Sequence, residues 1–122
     1  MNTELAKRLA AHDNLWQAWP DGSLALSDSG RKVRVTDGVS IVLHGEWYPD
    51  LDDPATVGCL WAMLVDAAEK LHDGGTAELD SGTTTGGNEA IVRDGLCGEI
   101  VTWEFGETTG EALALALLKA WK

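Results

Sequence analysis

The chain has 122 residues, twenty acidic against nine basic, for a formal charge of −11. That length is one domain's worth of core, and so acidic a balance argues against direct nucleic-acid binding, which draws most of its affinity from clustered Lys and Arg on phosphates. With no apolar run of about 18 residues and no basic-then-apolar leader, the expectation is a cytoplasmic protein with no membrane partner.

Taken in order, Thr3 caps a first predicted helix with Leu5, Leu9, Trp16 and Trp19 on one side, ending before Pro20-Asp21-Gly22; Asp13-Asn14 weakens its middle. Three extended pieces follow: 24–27, a turn at Asp28-Ser29-Gly30, 32–36 with Val33 and Val35 alternating against charges, and a turn at Asp37-Gly38 leading into 39–47. Asp53 is a good N-cap and Pro54 suits the first helical position, where its missing N–H costs nothing. From there Val57, Leu60, Trp61, Leu64, Ala68 and Leu71 recur at three- and four-residue intervals, and Gly74-Gly75 ends the helix. Strands are expected at 76–79, 89–93 and, after an Asp94-Gly95 turn, 96–105 with Val101, Trp103 and Phe105 on one face. Thr108 with Glu111 forms a capping box for a last helix, 112–121, which is apolar nearly all round and so is the most buried helix or part of a subunit contact. The stretches 33–39 and 90–96 each lead through a longer strand into a helix, which admits either a duplicated unit or independent hairpins.

The words Asp53-Pro54-Ala55-Thr56-Val57-Gly58-Cys59-Leu60 and, after an aromatic strand, Gly106-Glu107-Thr108-Thr109-Gly110-Glu111-Ala112-Leu113 resemble a group of small uncharacterised proteins of tailed phages and prophages. The likeness covers about a third of the chain and rests on helix caps and core positions. It implies a phage setting and carries over no catalytic residue. Trp61 stands where such proteins more often have a smaller aliphatic residue.

Residues that carry chemistry are sparse. Cys59 and Cys97 are too few for a disulfide scaffold, lack Cys-x-x-Cys spacing, and are expected as buried thiols. Asp80-Ser81-Gly82-Thr83-Thr84 looks like the aspartic-protease signature, in which paired carboxylates share a proton and activate water. Glu78 and the following Gly-rich run instead suggest an exposed connection. Asp50, Asp52 and Asp53 offer carboxylates for calcium without the spaced oxygens and closing Glu of an EF-hand. His12, His44 and His72 lie far apart, and neither Gly-rich loop carries a phosphate-cradle motif. Packing is the default role of the six tryptophans. Trp47 and Tyr48, adjacent in a strand, point to opposite faces, so one is expected to reach the surface beside Asp50 and Asp52 as an aromatic-acidic patch for a protein partner.

These readings converge on a single α+β domain over residues 1–122, with antiparallel hairpins packed on three helices in the order α-β-β-β-α-β-β-β-α. The expected function is that of a small acidic interaction protein of phage or prophage origin, without cofactor, metal or catalytic residues, binding a basic protein partner; homodimerisation stays open. Its sharpest form is an inhibitor of a host defence system. The alternatives are a homodimeric aspartic-protease-like enzyme using Asp80 and a virion assembly accessory.

Overall fold

The computed structural model describes residues 2–12, 19–36, 47–80 and 88–121. Within them the chain forms α1 (Thr3–Ala10), β1 (Leu24–Leu26), β2 (Lys32–Arg34), β3 (Tyr48–Pro49), α2 (Pro54–Leu71), β4 (Thr76–Asp80), β5 (Asn88–Arg93), β6 (Ile100–Gly106) and α3 (Thr109–Ala120). The strands make two antiparallel three-stranded sheets, ordered β2-β1-β3 and β4-β5-β6, and the α+β order is the one the sequence predicts. In the first sheet Ala25 lies between Val33 and Pro49; in the second, Ile91 lies between Glu78 and Trp103.

Caps set the helix starts. Asn2 caps α1 in place of Thr3, its Oδ1 accepting the Leu5 N–H at 3.1 Å. The helix stops at Ala10 instead of reaching Trp19, tightened at its end by the bond from the His12 N–H to the Leu9 carbonyl. Residues 13–18, with Trp16, lie outside the described residues, as do the Asp37-Gly38 turn and most of the predicted strand that follows it. Trp19 is half-buried against the core.

Asp53 caps α2 as expected, accepting the Thr56 N–H at 3.0 Å. Leu60, Leu64 and Ala68 are fully buried, whereas Leu71, at the last position before the helix unwinds, is exposed and leaves the expected stripe. Asp73 and Gly74 then take left-handed φ of 53° and 75°, letting the Gly74 and Gly75 N–H groups return to the Glu69 and Ala68 carbonyls.

The second hairpin departs from its expected form. The Asp94-Gly95 turn is a longer loop, in which the Asp94 carboxylate accepts the Leu96 N–H at 2.7 Å and Gly98 takes φ +71°. Strand β6 therefore begins at Ile100, and Cys97 is an exposed loop residue instead of a buried strand thiol. Cys59 is only half-buried; its thiol donates to the Asp21 carbonyl at 3.5 Å, and burial, then the Asp53 and Asp21 charges, push it up from its ordinary value.

Helix α3 opens with the predicted capping box: Thr108 Oγ1 accepts the Glu111 N–H at 3.2 Å, and Glu111 Oε2 accepts the N–H of Glu107, one residue before the cap, at 3.1 Å. It is the most enclosed helix, packing on β5, β6 and α2 with Leu113 and Leu117 fully buried beside Ala90 and Val92. Among the described residues, no helix is long and apolar enough to cross a membrane.

Candidate functional site

The aromatic-acidic patch expected for a partner falls at residues 47–53. The structure makes this segment the tight corner between β3 and α2. Trp47 is half-buried with the Arg31 guanidinium 5.2 Å from its ring centre, and Tyr48 is 8% exposed with the Lys7 ammonium 5.5 Å from its ring centre. Both rings are thus occupied by cations of their own chain. Asp50 is half-buried and its Oδ1 accepts the Asp52 N–H at 3.0 Å; Asp52 is exposed.

Asp53 is the most heavily engaged carboxylate there. It accepts from Arg34 in a bidentate pair at 2.6 and 3.0 Å and from the Thr56 hydroxyl at 3.1 Å. The Thr56 Oγ1 in turn accepts the Leu24 N–H at 2.8 Å, so one network ties β1, β2 and α2 together. The Arg34 guanidinium holds the Asp53 carboxyl well below its ordinary value, at about 2. Its two oxygens are committed to a cap and an ion pair. Among the described residues no group of His, Cys, Asp and Glu is arranged to hold a metal ion.

The remaining chemical words are scattered. Asp80 sits exposed at the end of β4, and residues 81–84 of the protease-like signature lie outside the described residues. His12 and His72 are half-buried at the ends of α1 and α2, each with one ring nitrogen that has no hydrogen-bond partner among the described residues; His44 lies outside them. A recess of about 510 Å³ opens where the first turns of α2 and α3 meet, walled by Leu51, Pro54, Val57 and Gly110. Its lining offers Asp52 but no paired acid and base.

The surface that does stand out is the outer face of the second sheet. Because strand side chains alternate, Ala90, Val92 and Thr102 turn inward onto α3, and Val101, Trp103 and Phe105 turn outward with Glu89, Ile91 and Arg93 of β5 and Glu78 and Asp80 of β4. Trp103 is 50% exposed and Phe105 52%, their rings stacked with centroids 5.7 Å apart. Ile100 and Val101 at the start of the same strand are exposed too, as is Leu96, at 81%, on the loop before it. At its other end Phe105 lines a recess of about 410 Å³ shared with Leu5, Glu111 and Leu115.

Carboxylates flank this row of apolar side chains. Glu89 is only 8% exposed, and its Oε2 accepts the Trp103 Nε1–H at 3.2 Å at the edge of the indole. Asp80 is directly opposite Glu89 across the β4–β5 pair. Arg93 is held by Glu78 at 3.0 Å and by the Gly98 carbonyl at 3.3 Å. The alternation of Val101, Trp103 and Phe105 was readable in sequence, but not that this face turns away from the core. A usable signal was that Glu78 and Asp80, and Glu89 and Arg93, share the parity of the outward residues on the neighbouring strands. Comparison of the chain with protein families, with curated proteins and with solved structures found no match.

Proposed function

We propose that this protein acts by binding another protein, with the outer face of the β4-β5-β6 sheet as its docking surface. The observation that carries the reading is the stacked, half-exposed Trp103–Phe105 pair at the centre of an apolar strip. A large aromatic ring held by a strand offers contact area at little cost in side-chain entropy, which is why such residues anchor interfaces. An isolated exposed hydrophobe needs no explanation, but a contiguous strip does. The likeness of the α2 and α3 openings to phage and prophage proteins supports a setting in the cytoplasm of a bacterial host. Inhibition of a host defence system is the most specific form of that role.

The test is affinity capture of the tagged chain from infected and uninfected bacterial lysate, with wild type beside the Trp103→Ser/Phe105→Ser double variant. A partner recovered by the first and lost by the second is the expected result. Asp52→Asn serves as comparison at the corner of the first sheet. Loss there, with undiminished capture by the double variant, would move the docking surface to residues 47–53.

A further inference from the structure

Resting on that docking face, we propose that its occupant is a segment of a partner protein presenting an arginine beside apolar residues, the guanidinium seated over Trp103 and against the carboxylates of Glu89 and Asp80. Three observations lead there. Asp80 and Glu89 are like charges placed directly opposite on adjacent strands, an arrangement that destabilises a sheet unless a cation lies between them. Among the described residues neither has an ion-pair partner, since the one cation of this face, Arg93, is held by Glu78. The chain itself twice sets a cation over an aromatic ring, Lys7 on Tyr48 and Arg31 on Trp47, and the half-exposed Trp103 has no such companion among the described residues.

Arginine fits better than lysine because its planar fork can lie flat on the indole and still donate to two carboxylates in its plane. Glu89 is already fixed by the Trp103 Nε1–H, so the acceptor is oriented before the partner arrives. Apolar neighbours of the arginine would cover Val101 and Phe105. A second copy of this chain suits the face poorly, since each copy carries −11 and would set Asp80 and Glu89 against their own kind.

The probes are three end-capped peptides of alternating isoleucine with arginine, lysine or glutamine, titrated into the full chain by calorimetry with the Trp103 indole N–H followed by NMR. The arginine peptide should bind saturably and shift that resonance, the lysine peptide more weakly, and the glutamine peptide not at all. Affinity should fall roughly tenfold between about 0.05 and about 0.5 M salt, as exposed charge attraction is screened. Trp103→Ala and Glu89→Gln should each weaken binding roughly fivefold or more, whereas Glu69→Gln, an equal charge change on the exposed side of α2, should not. Equal weakening by Glu69→Gln would reduce the effect to diffuse acidity and overturn the proposal. Binding of the glutamine peptide with the affinity of the arginine peptide, lost in Trp103→Ala, would also overturn it while leaving the docking face in place. A dimer in sedimentation equilibrium that Trp103→Ala dissociates would assign the face to a second copy instead.

Discussion

Asp53 caps α2, pairs with Arg34 and accepts the Thr56 hydroxyl, so a single carboxylate couples a helix start to the first sheet. Its carboxyl is lowered from 3.8 to about 2, first by Arg34 and then by the Thr56 bonds, with burial opposing. A lowered acid stabilises the fold at pH values above its unfolded pKa and loses that contribution as pH falls through the folded one. With Arg34 half-exposed, solvent screens part of the pairing, and the contribution is about 1–2 kcal/mol. Asp53→Asn keeps a capping side chain and removes the charge, so in urea melts near neutral pH it should cost about that much; Asp53→Ala should cost about 1 kcal/mol more for the cap. The Asp53→Asn deficit should shrink below pH about 4 and vanish near the folded value of about 2. A deficit constant across that range would place its origin outside the ion pair.

At the scale of elements, α3 shows two opposed forces at one position. Alanine is a better helix former than glycine by about 1 kcal/mol, so propensity favours Gly110→Ala. A Cβ at Gly110, however, would fall onto the Leu51 carbonyl, at a backbone that cannot swing aside. The clash wins, and Gly110→Ala should lower stability by about 1–3 kcal/mol in a thermal or urea melt; a stabilised variant would mean that the corner between β3 and α2 yields freely. Leu117→Ala should cost roughly 2–5 kcal/mol, as expected for a fully buried leucine between helix and sheet, and a loss under about 0.5 kcal/mol would remove α3 from the core. The openings of α2 and α3 were legible because their caps are local: Asp53 before Pro54, and Thr108 three residues before Glu111. The Asp94-Gly95 loop was not, because Gly95 meets a tertiary demand. Its N–H bonds to the His72 carbonyl at 2.9 Å and its Cα packs on the backbone at Asp73, contacts that a single-strand reading does not contain. The same limit applies to the candidate site: alternation places Trp103 and Phe105 on one face, and only the position of α3 decides that this face is the outer one.

At the scale of the whole molecule, charge acts against compactness. A balance of −11 on 122 residues gathers carboxylates that repel one another more closely in the folded chain than in the unfolded one. Opposing this are exposed ion pairs such as Lys7–Asp28 and Lys70–Asp66, each weak because solvent screens it. Salt screens both terms, so the sign of its effect on stability reports which is larger. Self-repulsion is the larger here, because acids outnumber bases by more than two to one. The melting temperature should therefore rise by a few degrees when sodium chloride goes from about 0.01 to about 0.3 M, a range over which the Debye length falls from about 30 Å to below about 8 Å. Chloride is the appropriate anion, since sulfate would strengthen apolar burial as well. The rise should be smaller in Asp80→Asn, which relieves the opposed Asp80–Glu89 pair at low salt. A melting temperature that falls with salt would show that the surface ion pairs outweigh the net charge, and an identical rise in Asp80→Asn would show that the acidic pair on the outer sheet face carries no measurable repulsion.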